Sequence, residues 1–205
     1  MSTWQWRVAK ALNDRYDYGA RFVKTHEAPP GLGRMAYVGE DRVLYSHRNL
    51  RDVAASLYES SGLRGTDLRE RIAYLRTVRD TMLSLRHGDN MLVLPYEQMF
   101  HNPMASVCAI VWLMWEEGNH PVSTKAVMEI VDECDVTAAR QVMDKLAQSH
   151  PGVPWGQEQF SVCDPDTNIH LNHVSIYGGE DDHWRERLHR DDLGWVGELE
   201  DVLPD

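Results

Sequence analysis

Only three cysteines occur in 205 residues, at positions 108, 134 and 163, too scattered to form a metal-binding pair. Their scarcity excludes a disulfide framework and a cysteine zinc site, and it suits a reducing compartment. No run approaches the roughly 18 apolar residues of a membrane-spanning helix, and the N-terminus carries no signal-peptide h-region. A cytoplasmic protein with no membrane partner is therefore expected. Positive charge is also short. Lys and Arg number 21 against 32 Asp and Glu, a net charge of -11. Phosphate backbones select basic surfaces, so nucleic acid is not an expected partner. Any anion bound here must instead be captured by a local positive pocket. The histidines, among them His170, His173, His183 and His189, fit no closed zinc pattern, and no metal is expected.

What is present reads as one globular domain over residues 1–205, with 42% hydrophobic and 26% charged residues. Residues 4–14, with Trp4, Val8, Ala11 and Leu12 on one side, predict a helix. "ARFVK" (20–24) and "RVLYS" (42–46) read as strands, separated by the loop "EAPPGLG". Residues 66–87 repeat Leu68, Ile72, Leu75, Met82 and Leu85 at helical spacing. "NMLVLPY" (90–96) is a continuous apolar run of the kind buried on both faces of a parallel sheet. Asn102 and Pro103 then mark a helix start, and two further helices fill 122–148. Strands alternating with helices predict an α/β fold, a three-layer parallel sheet flanked by helices. Residues 149–179, rich in Pro and Gly, read as a long loop or lid.

The stretch "VLYSHRNLRDVAAS" (43–56) turns abruptly from apolar strand to charge. If a helix starts near Asn49, then Asn49, Asp52 and Ser56 share a face, and Arg48 sits at the strand-to-helix junction. Helix N-termini favour anions, and a guanidinium there with a hydroxyl two turns on suits a phosphate. A capped surface helix explains the same residues.

The order Arg48, Asn49, Asp52, Ser56 after an apolar strand resembles the 3′-phosphate segment of sulfotransferases that use 3′-phosphoadenosine 5′-phosphosulfate (PAPS). "FVKTHEAPP" (22–30) is similar to the family's lysine–threonine–histidine strand end. "VLPYEQMFHNPMASVCAIVWLM" looks like its Tyr-Glu segment and following helix, and "NHVSIYGGEDDHWRERL" (172–188) takes the place of its C-terminal cofactor loop. The resemblance implies a P-loop nucleotide-binding-like fold and transfer of a sulfonate from PAPS to a hydroxyl or amine. It implies His26 as base, Lys24 as a charge-stabilising neighbour, and Arg48 with Ser56 on the 3′-phosphate. It also implies Ser2 and Thr3 on the 5′-phosphosulfate and Trp4 on adenine.

The family's opening strand and loop, Pro-Lys-Ser-Gly-Thr-Thr-Trp, are matched here only by Ser2, Thr3 and Trp4. A missing N-terminal strand, weak turnover and a homodimer covering the unpaired sheet edge are thus further expectations. Two other readings stand beside the enzyme: a truncated module that holds PAPS or 3′-phosphoadenosine 5′-phosphate (PAP) without turnover, and another phosphate-handling enzyme such as a nucleotide kinase. The kinase reading is weakened because no Gly-x-x-x-x-Gly-Lys-Ser/Thr loop occurs. The acceptor is expected to be a small molecule or glycan, met by the variable loops at 27–40 and 149–179.

Overall fold

The structure is a computed structural model that describes residues 2–23, 31–37, 41–115, 120–153, 161–171 and 183–199. The chain divides into two compact units, Met1–His47 with Val78–Asp135, and Arg48–Thr77 with Val136–Asp205. In chain order the elements are α1 (Ser2–Tyr16), α2 (Leu32–Tyr37), β1 (Val43–His47), α3 (Leu50–Ser61) and α4 (Gly65–Ser84). They continue with β2 (Met91–Pro95), α5 (Tyr96–His101), α6 (Pro103–Met114), α7 (Thr124–Cys134) and α8 (Val136–Ser149). Two short helices follow, labelled here α9 (Trp184–Arg187) and α10 (Arg190–Gly197). Among the described residues no helix is long and apolar enough to cross a membrane.

The first unit is organised by α1. Val8 and Leu12, one turn apart, are fully buried and meet Leu94 of β2, Val107, Ile110 and Val111 of α6, and Val127 and Ile130 of α7. Helix α6 begins where its signals predict: Asn102 accepts from the Ala105 amide at 3.3 Å, and Pro103 occupies the first turn. It carries no charged residue. Two arginines staple α1 to α7. Arg15 pairs with Glu129 at 3.0 Å and Glu133 at 2.5 Å, and Arg7 donates to the carbonyls of Glu133 and Cys134 at the end of α7. Cations are favoured there because the last carbonyls of a helix have no partner of their own.

β1 and β2 pair in parallel, from Val43 opposite Met91 to His47 opposite Pro95. A parallel pair cannot be joined by a hairpin, so the chain crosses over through α3 and α4. Gln5, 3% exposed, ties α1 to β1 by donating its side-chain amide to the Tyr45 carbonyl at 3.4 Å.

The expected three-layer parallel sheet does not form. Among the described residues 65% are helix and 7% strand, and these form one two-stranded sheet, so no P-loop-like layered sheet is present among them. The expected strand at 20–24 fails first. Residues 20–23 make no ladder: the Ala20 amide donates to Asn13 Oδ1 at 2.9 Å, and the Phe22 ring meets Trp6 edge-on at 5.8 Å. An apolar run that short serves equally well as a strap against a helix. After β2 the named elements are all helices.

The second unit is built around α3 and the end of the chain. Leu50, Ala54 and Ala55 of α3 pack with Leu68 and Ile72 of α4, Trp184 of α9, Leu188, and Val196 of α10. Within the stretch expected to be a long loop, Cys163 and His170 form an antiparallel bridge. Thr167 closes the turn between them, donating its amide and hydroxyl to the Asp164 carboxylate at 2.7 and 2.6 Å.

One glycine of the first unit is required by contact. A Cβ on Gly88 would stand 2.1 Å from the Ala36 carbonyl oxygen, which accepts the Asn90 amide at 3.1 Å. Gly194, in α10, has nothing within 4 Å of its Cβ position. Gly88→Ala should destabilise the protein by about 1–3 kcal/mol, the usual cost of forced overpacking. Gly194→Ala should be neutral or stabilise by up to about 1 kcal/mol. Urea unfolding of the two variants checks both, and equal midpoints would refute the contact.

Candidate anion-binding site

Strand β1 ends at His47, and Arg48 and Asn49 carry the chain into α3. Asn49 makes the start local and cheap. Its Oδ1 accepts from the Arg51 amide at 2.8 Å, and its carbonyl takes the Val53 amide at 3.0 Å. Asp52, in the first turn, is fully buried. A carboxylate without water needs a cation and hydrogen bonds. Arg48 supplies the cation: its Nε lies 3.6 Å from Asp52 Oδ2, and its side chain is 9% exposed. This ion pair, too long for a hydrogen bond, places the guanidinium beside a buried carboxylate at the head of a 12-residue helix. Ser56, one turn after Asp52, is half-buried on the same face. Arg48 and Asp52 are therefore brought together, with Ser56 one turn further along the same face of the helix. The arrangement suits recognition of a phosphate: a preset guanidinium, a positive helix end and a hydroxyl.

Helix α9 and α10 pack against α3, so the segment that resembles the cofactor loop meets the helix carrying Arg48 and Ser56. Trp184 is 2% exposed, with the guanidinium of Arg51 5.6 Å and that of Arg185 4.2 Å from its ring centroid. Arg51 also donates to the Gly197 carbonyl at 3.2 Å. Sequence reasoning marked Trp184 by resemblance but gave no signal for its partners on α3 and α4, which lie more than a hundred positions away.

In the first unit, Ser2 and Thr3 open α1, and Thr3 is buried at 2% exposure. Trp4, expected on adenine, is half-buried and packs against the cluster around Val8 and Leu12. Its face toward the core is thereby accounted for by packing. Lys24 and His26 lie outside the described residues.

His47 was not singled out by the sequence. It is 9% exposed and stacks against Tyr45, with ring centroids 6.1 Å apart. Its Nε2 has no hydrogen-bond partner among the described residues. Burial, reinforced by the Arg79 charge, pushes its pKa down to about 4, so the ring is neutral at pH 7. Burial likewise pushes Tyr45 up to about 12.

No protein-family model, curated protein or solved structure matches the chain. The likeness to sulfotransferases rests on the segments quoted above.

The His47 environment fixes a pH dependence. The unfolded chain, with a His pKa near 6.5, binds the proton more readily than the fold does at about 4. Stability is therefore lost as pH falls from roughly 6.5 to 4, by at most about 3 kcal/mol. His47→Gln should shrink the loss between pH 7 and pH 4.5 measured by urea unfolding. An unchanged loss would assign the titration to other groups.

Proposed function

We propose that the chain binds the 3′-phosphate of PAPS through Arg48 and Ser56 and transfers the sulfonate to a hydroxyl or amine acceptor. One observation carries the reading. A buried carboxylate, Asp52, holds the Arg48 guanidinium at the N-terminus of α3, with Ser56 on the same face. A surface cap needs no buried counter-ion behind its arginine, whereas a phosphate clamp benefits from a guanidinium that does not wander.

In the chemistry proposed, His26 takes the acceptor's proton as the acceptor oxygen or nitrogen attacks sulfur. The bond between sulfur and the bridging oxygen breaks, and PAP leaves with that electron pair. Lys24 offsets charge developing on the transferring group. Ser2 and Thr3 are assigned to the 5′-phosphosulfate by the resemblance alone.

Arg48→Ala should weaken PAP binding by about 1.5–3 kcal/mol, the range for charge-assisted bonds, and leave adenosine 5′-phosphate almost unaffected. Equal losses for the two nucleotides in calorimetry would remove the 3′-phosphate assignment. His26→Ala should abolish transfer while PAP affinity stays within a few-fold. A variant that keeps most of its turnover would refute His26 as base. Wild-type protein that binds PAP but transfers to no hydroxyl or amine acceptor would be a binding module instead.

A further inference from the structure

Helix α3 carries a second, partly buried ion pair that the proposed chemistry does not use. Glu59 follows Asp52 by two turns, and at about 100° per residue Asp52, Ser56 and Glu59 fall within roughly 60° of one another. Glu59 is gripped by Arg187 of α9: Nε donates to Oε1 at 2.9 Å and Nη2 to Oε2 at 2.5 Å. The Arg187 side chain is 1% exposed and that of Glu59 23%. A two-point grip fixes direction as well as distance, which a lysine cannot do.

The place of this pair separates it from an ordinary surface salt bridge. Glu59 is three residues from Ser56, close enough for side chains to be neighbours on the helix. Arg187 ends the short helix whose Trp184 is buried in the α3 core, and its neighbour Leu188 belongs to the same cluster. The grip therefore sets where the chain from Trp184 to Gly197 lies along α3, from a residue one turn beyond Ser56. Asp52 pairs with Arg48 at one end of this face, and Glu59 holds Arg187 at the other.

We propose that Glu59 and Arg187 form a positioning latch: they hold the Trp184–Gly197 segment in register with Ser56, and affinity for the 3′-phosphate depends on that register. This rests on the nucleotide reading above.

The full chain is compared with Glu59→Gln, Arg187→Met and Arg187→Lys. Titration calorimetry with PAP and with adenosine 5′-phosphate is read beside amide hydrogen exchange, and cooperative thermal unfolding shows that each variant folds. Glu59→Gln and Arg187→Met should raise exchange across 184–197 while α1 and α7 stay protected. PAP should weaken by about tenfold or more, with adenosine 5′-phosphate nearly unchanged. Arg187→Lys should recover part of the loss, and it carries the test alone if Arg187→Met does not fold. Folded variants that bind PAP as the wild type does, or whose 184–197 exchange is unchanged, overturn the latch. Wild-type protein that binds no PAP overturns the nucleotide reading itself. The exchange measurement then still reports whether the pair holds the segment, so the two failures are distinguishable.

Discussion

A carboxylate with no exposed surface dictates much of what surrounds it, and Asp52 is such a group. Left alone it would take up a proton or drag water into the fold; removing only its partner would leave a buried charge, at a typical cost of about 3–5 kcal/mol. Arg48 must therefore stay at the entrance to α3, and Asn49 must cap the helix so that Asp52 enters its first turn at the correct angle. Leu50 and Ala54, on the side of α3 turned away from Asp52, are left to pack in the hydrophobic cluster. Replacing the ion pair by hydrocarbon would suit stability at least as well.

A two-stranded parallel sheet has little standing of its own. Here it persists because helices supply what missing strands would have supplied. Leu94 faces the cluster built by α1, α6 and α7, while Met91 joins Leu32, Ala36 and Met82 in a second one. The Ala36 carbonyl reaches the turn before β2, which is why Gly88 has no room for a side chain.

The elements with local signals were legible. Asn49, and Asn102 with Pro103, mark helix starts that the structure keeps, and the Leu68–Ile72 spacing predicted α4. Both β1 and β2 lie where apolar runs meet polar punctuation. Sheet architecture was not legible, because whether an apolar run such as residues 20–23 finds a ladder depends on distant partners. Here Asn13 and Trp6 took it instead. The candidate site divides in the same way. Asn49, Asp52 and Ser56 could be placed on one face by spacing alone, with Arg48 at the strand-to-helix junction. The burial of Asp52 and His47, and the pairing of Glu59 with Arg187, are consequences of packing that no short window contains.

That last pairing joins residues 128 positions apart. A ribosome adding about 5–20 residues per second leaves Glu59 without Arg187 for roughly 6–26 s. During that interval α3 exists with its apolar residues Leu50, Ala54 and Ala55 uncovered by Trp184, Leu188 and Val196. The unit ending at Asp135 has all its own residues synthesised long before then. Growth of the nascent chain thus imposes an order: the α1–α6–α7 core can close early, whereas the helix that follows Arg48 and carries Ser56 waits for residues 184–196. Chaperone demand and sensitivity to premature termination should therefore fall on the half that carries the candidate site.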